Sequence, residues 1–105
     1  MIVTTTDTIS GYELEIMKVV FGNTVRAKNL VEDITAFLKN IVGGELQEYT
    51  EMLTDARRES MNRMVNAAQE LKADAIVNVR FTTATAVAGA AELLAYGTAV
   101  KLKKK

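Results

Sequence analysis

Residues 45–72, ELQEYTEMLTDARRESMNRMVNAAQELK, decide the fold. Leu46, Tyr49, Leu53, Ala56, Ser60, Met64, Ala67 and Leu71 recur at an average step of about 3.6, the period of a helix with one apolar face. The spacing predicts a long helix closed by Ala73-Asp74. Met61, Val65 and Ala68 widen the apolar arc beyond that stripe, and Arg57 points into the widened part, between Leu46 and Ala68. Either the chain's own sheet covers this wide arc, or the helix packs on another subunit. The second is favoured, because exposed apolar patches mark interfaces. Arg57, Met61, Val65 and Ala68 are then the candidate interface residues, and Arg57 needs a carboxylate or carbonyl partner there.

Working outward, Asn29 with Glu32 forms a capping box ahead of Leu30, Ile34, Phe37 and Ile41, and Gly43-Gly44 supplies the stop; this predicts a shorter helix over 29–43. Residues 12–27 read as a strand. Leu14, Ile16 and Val20 fall on one parity, and Met17, Val19 and Phe21 on the other, with Gly22-Asn23 as a turn or bulge. Ile2 to Thr5 reads as a brief strand. Beyond the long helix, Val77, Val79 and Phe81 alternate with polar residues, and a last strand runs over 93–102. The small-residue piece 83–91 reads as a turn or flexible arm. The fold class is α+β in the order β-β-α-α-β-β: a two-layer arrangement with helices on one face of an antiparallel sheet, in a single domain over 1–105.

Composition narrows the chemistry. Among 105 residues there is no histidine, cysteine, proline or tryptophan. The usual general base, the thiolate nucleophile and the commonest soft-metal ligands are missing. Without cysteine there is no disulfide framework, and a cytoplasmic location is the default. The start has no signal-peptide pattern, and the run from Ala84 to Val100, broken by Glu92, is too weak for a bilayer span, so no membrane partner is expected. Net charge is zero, yet four lysines lie in the last five positions. The remainder holds nine basic and thirteen acidic residues, a net of −4. An acidic body argues against nucleic acid as partner. The lysine tail reads as a solvated, frayed terminus.

Glu48, Glu51, Asp55 and Glu59 form an acidic stripe on the long helix. Carboxylates so spaced can hold a hard cation; the plainer reading is a solvated face with Glu59 paired to Arg63. Seven alanines with Gly89 and Gly97 between 84 and 99 allow close approach of a helix or subunit, or a ligand channel. Gly43-Gly44-Glu45 lacks the lysine and hydroxyl of a phosphate loop. No cofactor motif and no catalytic residue emerges.

Several blocks resemble the YbjQ-like family. These are Thr4-Thr5; Ile41-Val42-Gly43-Gly44-Glu45 with Tyr49-Thr50; Ala56-Arg57; Ala73-Asp74-Ala75-Ile76-Val77 with Val79-Arg80; and Glu92 followed by Ala95-Tyr96-Gly97-Thr98-Ala99-Val100. They span nearly the whole chain, in order. The resemblance implies an α+β subunit similar to dodecin subunits, assembling into a pentameric ring, in a largely uncharacterised bacterial and archaeal family labelled heavy-metal-binding. The chain departs from it at Lys72 and Asn78, where the family often has glycine. Soft heavy metals call for thiolate, thioether or imidazole; this chain offers only methionine sulfur, and Met61 and Met64 read as packing.

Three functions stand in order. The first is a non-enzymatic homo-oligomer presenting a surface or pore to a small ligand or protein. The second is a metal-binding protein with oxygen ligands from the acidic stripe, or from Glu13 and Glu15 meeting at a symmetry axis. The third is an enzyme using tyrosine, lysine or carboxylate, for which no motif speaks.

Overall fold

A computed structural model describes residues 1–26, 47–87 and 90–105. The predicted helix over 29–43 lies outside them. The elements are β1 (Ile2–Val3), β2 (Tyr12–Arg26), α1 (Gln47–Glu70), β3 (Ala75–Val87) and β4 (Ala90–Lys104). They form one four-stranded sheet in the order β1-β3-β4-β2. β4 pairs antiparallel with both β2 and β3, whereas β1 runs parallel to β3. The sheet is therefore mixed, and the antiparallel expectation is corrected at β1. The chain returns from β1 to its neighbour β3 only after β2 and α1, the long crossover that a parallel pair requires.

α1 lies on one face of the sheet, and its seat is made of small residues. A Cβ on Gly22 would come within 2.0 Å of the Ser60 carbonyl oxygen and 2.4 Å of the Met64 amide nitrogen. Only a residue without a side chain lets the helix backbone ride that close to the strand. Gly22 is thus no turn: β2 runs straight through it, opposite Ala95. On β4, Ala95, Gly97 and Ala99 continue the seat, and Met64, Ala68, Val20, Ile76 and Val79 close over it as the main core cluster. Full burial of a side chain such as Met64 contributes about 2 kcal/mol. Ser60 Oγ lies 3.0 Å from Thr24 Oγ1 and 3.0 Å from the Leu93 carbonyl. With a single proton it donates to the carbonyl and accepts from Thr24, so both buried hydroxyls are satisfied.

Three irregularities set which face each side chain takes. Register slips between Ile16 and Lys18, again between Val77 and Arg80, and once more between Thr85 and Val87. Each inserts an extra residue and exchanges inward and outward parity along its strand. Asn78, in the second slip, has φ +54°, and its amide donates to the Thr6 carbonyl. Lys72, just past α1, has φ +61°. There the Lys72 amide donates to Gln69 and that of Ala73 to Ala68, a Schellman ending with lysine in the seat glycine usually takes. The two departures from the resemblance are therefore the two described non-glycine residues with left-handed φ.

Two further expectations change. Residues 83–87 and 90–91 belong to the paired strands β3 and β4, up to Val87 opposite Ala90, rather than to a turn or arm. The lysine-rich end is not frayed: β4 continues through Lys104, with Lys103 opposite Glu13 and Lys101 opposite Glu15, and the Lys105 amide reaches the Gly11 carbonyl at 3.2 Å. Opposite charges facing across a ladder stabilise it. Asp74 anchors the same end, accepting from the Leu102 amide at 2.9 Å.

Candidate functional site

The sheet face away from α1 carries several exposed large apolar side chains. Gly22, Val20 and Gly97 face the helix, so their strand neighbours Phe21, Val19 and Tyr96 face outward. Before the slip in β2 the parity is reversed, which puts Leu14 and Ile16 on the outer face too. Pairing lines them up: Ile16 opposite Val100, Val19 opposite Thr98, Phe21 opposite Tyr96. Of these, Ile16 is 75% exposed, Phe21 57%, Val19 49% and Tyr96 37%. Large apolar side chains are thus displayed together on the paired strands β2 and β4. At one end of the face, the segment 7–12 stands over Val77, Val100 and Leu14 and walls a cleft of about 740 Å³, with Ile16 at its side. Ile9, Leu14, Val77 and Val100 of its lining also pack together in a small cluster with Ala75 and Leu102.

The residues singled out from the sequence fall elsewhere. Ala68 is fully buried in the chain's own core, under the seat described above. Met61 and Val65 are half-buried and pack against that core. Arg57 is exposed, and its partner is a carbonyl of its own helix: Nε donates to Leu53 at 3.4 Å. The over-wide apolar arc is covered, in large part, by the sheet beneath it. The alanine and glycine positions 95, 97 and 99 admit this helix.

The acidic stripe stays on the solvent side. Glu51 and Asp55 are exposed, Asp55 lies 3.6 Å from Arg58, and Glu59 is paired with Arg63, which also donates to the Asn23 carbonyl. Glu48 is in α1, but its side chain lies outside the described residues. Among the described residues no three carboxylates gather where a metal ion could sit. Glu13 and Glu15 face lysines across the ladder rather than each other. Met64 sulfur is sealed in the core. The donors present do not fit a soft heavy metal.

The uncovered face had a signal in the sequence. Both parities of residues 14–21 carry large apolar side chains, and the slip at Met17 brings Leu14, Ile16, Val19 and Phe21 to the one outer face.

Comparison with known proteins places the chain. The model of a family described as "Putative heavy-metal-binding" matches residues 1–103. A UPF0145 protein of Archaeoglobus fulgidus is 65% identical over 104 residues, covering 98% of this chain and 96% of that protein. A UPF0145 protein of Thermosipho africanus is 53% identical over 105 residues, covering 99% and 97%. The crystal structure of a Pediococcus pentosaceus protein of unknown function, from the DUF74 family, superposes with a TM-score of 0.66 at 19% identity, covering 98% of each chain, and so shares the fold. A full-length family match, together with relatives identical at half to two thirds of positions, makes this chain a member of the YbjQ family.

Proposed function

We propose that this chain is a non-enzymatic binding module that works as a homo-oligomer, its copies joined through the outer face of the sheet in a pentameric ring of dodecin-like subunits. The observation that carries the reading is the row Ile16, Val19, Phe21 and Tyr96, exposed together on two paired strands. Patches of this kind mark association surfaces. Shape adds support: the molecule extends 57 × 28 × 16 Å with a radius of gyration of 17.1 Å, against about 13 Å for a compact domain of this length. Repetition around a ring would present the same surface several times to a small ligand or protein partner. The reading assigns no catalytic residue and no cofactor, and places the protein in the cytoplasm with neither nucleic acid nor membrane as partner. Among the described residues no helix is long and apolar enough to cross a membrane.

The heavy-metal description of the family does not carry over easily. The sequence has no histidine or cysteine; Asp55 and Glu59 sit beside arginines, and Glu13 and Glu15 lie opposite lysines. Light scattering at micromolar concentration tests the assembly. A mass of several chains supports it, and a monomer sinks it. Elemental analysis after loading with copper, zinc and nickel is expected to find no stoichiometric metal.

A further inference from the structure

Thr4-Thr5 and Val79-Arg80 lie about 75 positions apart in sequence, yet they build one wall of the same pocket. It has a volume of about 330 Å³ and lies at the edge of β3, where the Val79 amide donates to the Thr4 carbonyl. Its remaining wall is apolar: Val3, Met61 from α1, and Phe81, which is 41% exposed. By register Arg80 belongs to the outer face. Its side chain nevertheless turns to the edge, where Nη1 donates to the Thr5 carbonyl at 3.0 Å and to the Val79 carbonyl at 2.8 Å.

Those two bonds fix the guanidinium plane and use only one of its three nitrogens. Nε and Nη2 keep their donors, in the fork geometry that matches a carboxylate. Arg58 and Arg63 have carboxylate partners. Among the described residues Arg80 has none, and neither has Arg57, which lies one turn before Met61 on the same side of α1. An oriented cation without a counter-ion, at the mouth of an apolar pocket with an exposed ring, selects a ligand that is charged at one end and greasy at the other.

We propose that this pocket binds a small organic carboxylate with an aromatic or branched apolar body, its carboxylate forked on Arg80 and its body against Phe81 and Met61. The inference supplies a ligand class for the binding surface and rests on that reading only for the existence of a ligand. The pocket is complete within one chain and does not depend on the ring.

The test is calorimetric titration of the full chain with 4-phenylbutyrate and with its neutral amide, with light scattering on the same samples. Saturable binding of one phenylbutyrate per chain is expected, weakened about tenfold or more by loss of the charge in the amide and by Arg80→Gln. Phe81→Ala is expected to weaken it about fivefold. Absence of saturable binding at about 10 mM, or equal binding of acid and amide, overturns the proposal. The amide comparison needs no variant, so it decides the matter even where Arg80→Gln fails to fold. A monomeric mass with intact binding would defeat the ring and leave the pocket standing; a ring without binding would do the reverse.

Discussion

The two faces of the sheet differ where α1 crosses it: glycine and alanine stand among Val20, Ile76 and Val79 on the covered face, and larger exposed side chains stand on the other. Toward α1 stand Gly22, Ala95, Gly97 and Ala99, and the surface they make is sealed; away from it stand Ile16, Val19, Phe21 and Tyr96, and that surface is open. Small residues bury little apolar surface of their own, so their value lies in how near the helix backbone can come. Large apolar residues forgo about 25 cal/mol of stabilisation for every square ångström left in water. The chain has thus spent its smallest residues where it covers itself and placed large ones where it does not. This division is what points to a partner on the open face.

The contrast can be broken most violently at neighbouring positions 21 and 22. Gly22→Ala drives a methyl into the Ser60 and Met64 backbone and is expected to cost about 3 kcal/mol or more, or to prevent folding, as thermal unfolding by circular dichroism will show. Phe21→Lys, one residue away on the open face, is expected to leave the circular dichroism spectrum unchanged while reducing the mass in light scattering to that of one chain. Equal damage from the two would erase the distinction between the faces. Ser60→Ala sharpens the sealed side. It strands the Leu93 carbonyl and the Thr24 hydroxyl, with an expected loss of about 1–2 kcal/mol by denaturant titration. The smallest effect is a gain. Lys72→Gly relieves a left-handed φ at the end of α1 and is expected to add about 1 kcal/mol; at Asn78, whose side chain tolerates that region better, glycine should add less. Lower melting temperatures for both variants would count against a strained backbone there.

Much of this was legible along the chain. The 3.6 period from Leu53 to Leu71 marked α1, and the alternation after Ala73 marked β3 and β4. The resemblance expected glycine at 72 and 78, and the backbone there is left-handed. The site was less legible. Helical spacing shows how wide the apolar arc with Arg57, Met61, Val65 and Ala68 is, but not whether the chain's own sheet or another subunit covers it; Ala68 lies in the chain's own core. The unused donors of Arg80 follow from where two distant carbonyls lie, and no local pattern records that.

The sequence by itself determined the types and order of the described elements and a chemistry without imidazole or thiol, because these depend on local periodicity and composition. Tertiary structure alone decided which parity faces the helix, since an extra residue at Met17 and another near Asn78 exchange the two faces and become visible only when a partner strand sets the register. It likewise made β1 parallel to β3 and held the lysines of the last strand in a ladder against Glu13 and Glu15, because pairing is a property of two segments and neither one carries it alone.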